Sequence, residues 1–284
     1  MILPGFLVIL LFNYVPMYGI QIAFRNYSFS TGFSGGEWVG MRYLNRFFSS
    51  YQFSSLIRNT LAVSINTIIF SFPVPVFLAI MFNKIRSKRW QKLIQTTVYL
   101  PHFISTVVLV SIMTLMMSSS SGIIGQLASN LGYGGVLMGD TNLFVPIYVI
   151  SDIWQHAGWN SIIYIAALSS IDQSIYESCH IDGANTWQII RYIDLPCLVP
   201  TMMVLLILTM GSVLGVGFEK VYLMQNSLNL SVSEIISTYV YKIGLQSNQY
   251  SYSAAISLFN NVINFFLVFL MNLVARKCAG ISIW

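Results

Sequence analysis

Asp152, Gln155 and Trp159 fall on one face of a helix, and His156, Asn160 and Tyr164 fall on the face beside it. Both faces lie inside a long apolar run, where polar side chains are costly and turn toward a bundle interior or a cavity. The chemistry on offer is recognition of a polyhydroxylated ligand. Aromatic rings pack against the apolar faces of a pyranose, while amides and carboxylates bond its hydroxyls. A second strip, Ser257, Asn260, Asn264 and Asn272 with Asn261 beside it, recurs at helical spacing in the last apolar run. The competing reading of each residue is a hydrogen bond between helices, worth about 0.6 kcal/mol. The two strips together favour a polar pathway.

Other chemistries lack their residues. No GxxxxGK[ST] loop is present to cradle nucleotide phosphates, so the chain does not hydrolyse ATP by that route. HExxH, paired CxxC and GxSxG are missing too, and His102, His156 and His180 are scattered. Cys179, Cys197 and Cys278 lack metal spacing and fall at or near the predicted cytoplasmic side, so free thiols are expected. The sequence therefore reads as a non-enzyme with no cofactor or metal of its own. A net charge of +5 needs no nucleic-acid partner, because basic residues gather in short loops beside anionic lipid headgroups.

These residues need a membrane scaffold. Of the 284 residues 56% are hydrophobic and 8% charged, with a mean hydropathy of +0.70, against roughly 25% charged residues in soluble domains. The fold class is all-α and polytopic. Six transmembrane helices are predicted near 3–24, 57–83, 93–117, 143–169, 198–221 and 253–275. The first run lacks a basic flank and a cleavage site and reads as a retained span. Lys84, Arg86, Lys88, Arg89 and Lys92 between the second and third spans, and Arg276 and Lys277 after the last, place those segments and both termini in the cytoplasm. The connection at 170–197 then faces the cytoplasm as well. Connections are too short for an independent core, so 1–284 reads as a single transmembrane domain.

Several features remain open at this level. The loop at 25–56 carries Trp38, Phe47, Phe48, Tyr51 and Phe53, read as an interfacial aromatic belt or as a docking surface for an outside partner. Gly211, Gly215 and Gly217 read as a small-residue surface for close helix approach or as a hinge. Glu219 and Lys220, at the outer end of the fifth span, pair or snorkel, or else meet a gate or partner. Pro73, Pro75 and Pro101 are expected to kink their helices.

Between the fourth and fifth spans lies "YESCHIDGANTWQIIRYIDLPCLVP". It reads as a helix, a turn at Asp182 and Gly183, and a second helix opened by an Asn185/Gln188 capping box, with Pro196 and Pro200 marking the return to the membrane. Glu177, Ser178, Cys179, Asp182, Gly183, Ala184, Ile193, Leu195 and Pro196 resemble the EAA motif, Glu-Ala-Ala-x-x-x-Gly then Ile-x-Leu-Pro, of ABC importer permeases. Ser178 and Cys179 stand where that motif has two alanines. "PMYGIQIAFRNYSF", "WVGMRYLNRFF", "NTLAVS", "GFEKVYLMQNSLN" and "ISTYVYKIGLQ" resemble its carbohydrate-uptake branch, for oligosaccharides or polysaccharides, over nearly the whole chain.

The resemblance implies a permease of the bacterial cytoplasmic membrane. Its coupling segment 171–197, with Tyr176, Glu177, Ser178, Cys179, Asp182, Gly183 and Ala184, would dock on an ATPase. It further implies a second permease, usually a different chain, two ATPase units that use ATP and Mg, and an extracytoplasmic sugar-binding protein. A self-contained ion-coupled transporter, or an intramembrane enzyme built on Asp152 and His156, is the alternative.

Overall fold

The computed structural model describes residues 2–30, 32, 36–85, 87–215, 217–280 and 282, apart from the side chains of 278 and 279. Arg86 and the Cys278 thiol, used in the topology and redox readings, lie outside the described residues. Among those residues the chain is helical, with one isolated antiparallel bridge between Arg25 and Trp38. The principal helices are α1 (Leu3–Phe24), α2 (Arg42–Phe48), α3 (Phe53–Asn83), α4 (Lys88–Phe103), α5 (Thr106–Met116), α6 (Phe144–Ser169), α7 (Gln173–Ile181), α8 (Thr186–Met210), α9 (Phe218–Met224), α10 (Ile236–Tyr241) and α11 (Tyr250–Ala279).

Four of these, α1, α3, α8 and α11, are long and apolar enough to cross a membrane among the described residues. A fifth span results if α4 and α5 are taken together. The sequence reading expected six. α6, with 26 residues, is ~39 Å long and has the reach, but its polar strip lowers its apolarity. The expected third span is not straight: α4 and α5 meet at 94°. Pro101 lies in a 3₁₀ turn, Leu100–Phe103, just before the break, so the expected kink becomes a corner.

Elsewhere proline leaves the helix whole by another route. π-helical turns at Leu10–Tyr14, Thr67–Ser71 and Ile190–Asp194 each precede a proline, Pro16, Pro73 and Pro196. A proline ring collides with the carbonyl four residues back and removes a donor. Widening the preceding turn relieves that collision without breaking the rod.

α3 passes through all three packed clusters. Leu56 joins Phe47, Ile236, Tyr252 and Ile256 at one end. Val63 joins Leu109, Met113, Phe144 and Tyr148 in the middle. Val76, Ala79 and Ile80 meet Tyr164, Leu168 and Leu198 at the other end. Because lipid is as apolar as leucine, close packing and interhelical hydrogen bonds hold such a bundle together, rather than escape from water. Gly158 shows the closeness: a Cβ there would lie 2.2 Å from the Val98 carbonyl oxygen, so glycine lets α6 lie on α4.

The fifth span ends sooner than expected. α8 stops at Met210, a 3₁₀ turn follows at Val213–Gly215, and Gly217 takes a left-handed φ of +70° before α9 begins. Gly211, Gly215 and Gly217 therefore do not form one helical small-residue surface, and the region around Gly215 is open. Lys220 is neither exposed nor snorkelling: it is buried, with Nζ 3.4 Å from the Tyr148 carbonyl and 4.9 Å from the Tyr148 ring centroid.

Candidate functional site

The segment between α6 and α8 is built from local rules. Asp172 caps α7, its carboxylate accepting from the Ser174 amide at 2.9 Å, and that bond holds the carboxyl below its usual range. At the other end the Gly183 amide donates to the His180 carbonyl at 3.2 Å, and the Ala184 amide to the Cys179 carbonyl at 2.9 Å. This pair of bonds is a Schellman motif, which needs a left-handed residue, and Gly183 supplies φ +75°. The expected capping box is present. Asn185 accepts from the Gln188 amide at 2.9 Å, and Gln188 accepts from the Asn185 amide at 2.7 Å.

Glu177, Ser178, Asp182 and Gly183 are exposed, Cys179 and Ala184 are half-buried, and Ile181 and Trp187 extend the outward face as bare apolar side chains. Cys179 and Cys197 are free thiols. Tyr176 instead turns toward the bundle. Its hydroxyl donates to Asp194 Oδ1 at 2.6 Å, while Lys84 Nζ lies 2.6 Å from Asp194 Oδ2 and 5.3 Å from the Tyr176 ring centroid. Asp194 is fully buried. Burial, followed by the Asp194 carboxylate, pushes the Tyr176 phenol up, so it remains a donor. This cluster ties α7 to the end of α3 and the first turns of α8. Sequence reasoning missed it: Lys84 was taken up by the topology argument, and the signal was a lone carboxylate in "RYIDLP".

The polar strip of α6 divides. Asp152, Asn160 and Tyr164 line a cavity of about 420 Å³, joined by Ser64, Thr67 and Ser71 of α3 and Thr209 of α8. His156 does not line it; its Nδ1 lies 3.1 Å from Asp152 Oδ1. Trp159 stacks on His102, with centroids 4.5 Å apart and planes at 3°. Gln155 is buried and donates to the Ile104 carbonyl at 2.8 Å, on the corner between α4 and α5. Gln155 and Trp159 thus fasten the break, and a pathway is left to the cavity-lining members.

The strip of α11 divides likewise. Ser257, Asn260 and Asn261 line a second cavity of about 530 Å³. Asn264 is buried and accepts from the Leu214 amide at 3.2 Å, bonding the irregular chain beyond α8. Among the described residues no group of histidine, cysteine and carboxylate side chains could hold a metal.

The model of the family described as "Binding-protein-dependent transport system inner membrane component" matches residues 71–280, and the chain belongs to that family. The chain is 42% identical over 278 residues to Protein LplB of Bacillus subtilis (strain 168), covering 98% of this chain and 87% of the relative. It is 41% identical over 281 residues to that organism's polygalacturonan/rhamnogalacturonan transport system permease protein YteP, with the same coverage. A bacterial alginate ABC transporter, solved in complex with an alginate pentasaccharide-bound periplasmic protein, has a chain that superposes with a TM-score of 0.91 at 38% identity. That match covers 100% of this chain and 95% of the other. This is an ABC importer permease, a transport component and not an enzyme.

Proposed function

We propose that the chain forms half of the translocation pathway of an importer for an oligosaccharide or polysaccharide fragment. Residues 1–284 act as a single transmembrane domain. Its partners are a second permease, a different chain, and two ATPase units that use ATP and Mg and dock on the coupling segment. A sugar-binding protein delivers substrate on the far side of the bacterial cytoplasmic membrane. Both termini and the coupling segment face the cytoplasm.

The observation that carries this reading is the form of α7. Glu177, Ser178, Asp182 and Gly183 are offered outward, while Tyr176 is bonded inward to Asp194 and Lys84. A push on the outer face is thereby delivered to α3 and α8 together, and a packed bundle with two stable arrangements answers it by switching. The substrate class is supported by the relative YteP, a polygalacturonan/rhamnogalacturonan transport system permease protein at 41% identity. Asp152, Asn160 and Tyr164 with Asn260 are the polar groups along the route.

The test is purification from the native host with identification of the companions. An ABC ATPase and a second permease should accompany the wild-type chain, and scrambling 177–183 should release the ATPase without loss of membrane insertion. Gly183→Pro, which cannot hold φ +75°, should abolish uptake of the sugar. Retained uptake in that variant would refute the coupling role.

A further inference from the structure

The end of the bundle opposite the coupling segment carries a second constellation. α3 fixes the orientation: beyond its last residue Lys84 reaches Asp194, whereas in its first turn Leu56 packs with Tyr252 and Ile256 of α11. At that far end Asn26, Arg42, Tyr43 and Arg46 line a cavity of about 490 Å³. Asn26, Tyr43 and Arg46 also wall a smaller one of about 200 Å³, bounded on its other side by residues 248–252. Tyr250 belongs to that wall and to the 530 Å³ cavity, which continues down α11 past Ser253, Ser257 and Asn260. The three cavities therefore share walls. From Tyr250 to Asn260 the polar face extends ~15 Å along the helix.

Several groups at the rim are held by side-chain contacts, while Arg42 is exposed. The Arg46 guanidinium lies 4.4 Å from the Tyr252 ring centroid. Tyr43 donates to Asn26 Oδ1 at 3.0 Å, and Tyr250 to Asn248 Oδ1 at 2.8 Å. Asn248 has a φ of +54°, a left-handed conformation that asparagine tolerates in a tight connection. Among the described residues no carboxylate side chain lines any of the three cavities. Neither Arg42 nor Arg46 forms an ion pair among the described residues.

A guanidinium presents a rigid fork of donors matched to a carboxylate, and tyrosine faces with amides suit a pyranose. Arg42 and Arg46 are both solvent-exposed, and a neutral sugar would engage neither charge. We propose that this rim is a capture site for an anionic, uronate-bearing oligosaccharide, with Arg42 and Arg46 holding its carboxylate and the polar face of α11 receiving the chain. The proposal rests on the carbohydrate importer reading and adds the charge of the substrate and the place where the permease first meets it.

The test uses the assembled importer in lipid nanodiscs, without its binding protein, and two probes, trigalacturonate and the same trisaccharide as its methyl ester. Binding measured by saturation-transfer NMR and titration should favour the acid by about tenfold, the effect of a charge-assisted hydrogen bond. Arg42→Gln/Arg46→Gln should erase that preference, and Arg42→Lys/Arg46→Lys should retain part of it. Co-elution with the ATPase and the second permease verifies that each variant is assembled. Equal binding of acid and ester, an undiminished preference in the Gln variant, or no binding of either probe would overturn the proposal. So would a Gln variant that keeps the acid preference and loses only its hold on the binding protein, which would make the rim a protein-docking patch. Failure of the importer reading would be seen separately, as a wild-type chain that purifies without an ATPase.

Discussion

Gly183 is held at φ +75°, yet a Cβ there would meet nothing within 4 Å. Its requirement is thus conformational and not spatial. Asparagine tolerates the left-handed region and β-branched residues do not, so Gly183→Asn should keep uptake and ATPase retention, while Gly183→Val should lose both. Asp194 imposes a different demand. Asp194→Ala leaves Lys84 without its partner at a site where the aspartate is fully buried and the lysine side chain is 27% exposed. Removing one partner of a buried pair costs ~3–5 kcal/mol, and the partial exposure of Lys84 puts the expected loss near the lower bound. Thermal unfolding in nanodiscs measures it, and Lys84→Met/Asp194→Leu should recover most of the loss. The Asp172 cap sets a pH dependence. Its carboxyl is depressed below 3.8 in the folded state by the Ser174 amide, so its contribution is present at neutral pH and is lost as pH falls through that lowered value. Amide protection of α7, corrected for intrinsic exchange, should stay flat from about pH 8 to 5 and in Asp172→Asn, and fall in Asp172→Ala.

The elements show where sequence reading succeeds. The surface helix pair at 173–189 is legible because its determinants are local: a glycine that ends one helix and an Asn–Gln pair three residues apart that opens the next. The corner at Ile104 was only half legible. Pro101 announces trouble, but the bond that completes the corner comes from Gln155, 51 residues away, and nothing near either residue declares it. Lys84 and Asp194 are likewise partners across the fold, and charge counting assigns the lysine to lipid headgroups. The glycines at 211–217 misled because their spacing means close packing only if the helix continues, and it ends at Met210. Gly158 was overlooked as an unremarkable residue in an apolar run, although it sets the approach of α6 to α4. Gly158→Val should therefore cost ~1–3 kcal/mol through overpacking, read as a lower melting temperature, with Gly158→Ala intermediate.

At the scale of the molecule, the proposed orientation puts Glu177 and Trp187 on the cytoplasmic side. Cysteines placed at either position in a background lacking Cys179, Cys197 and Cys278 should react with an impermeant thiol reagent in inside-out vesicles and not in right-side-out ones, and addition of the ATPase should shield them. Labelling from the opposite side would invert the topology. The π turn at Thr67–Ser71 has a consequence for the two ends of the bundle. Upstream of it the buried residues of α3 are Leu56, Asn59, Thr60, Val63 and Ser64. Continued at 3.6 residues per turn, that stripe would come round near 74 and 78, but the buried residues are Pro75, Val76, Ala79 and Ile80, with Phe82 beyond them. The stripe arrives about one residue late, a phase slip of ~100° of rotation. The rod is consequently a shaft with a fixed angular offset between the end that packs on the rim and the end that carries Lys84. Deleting Ile69 would remove the offset, turning Val76, Ala79 and Ile80 out of their cluster with Tyr164 and Leu198 and swinging Lys84 off Asp194.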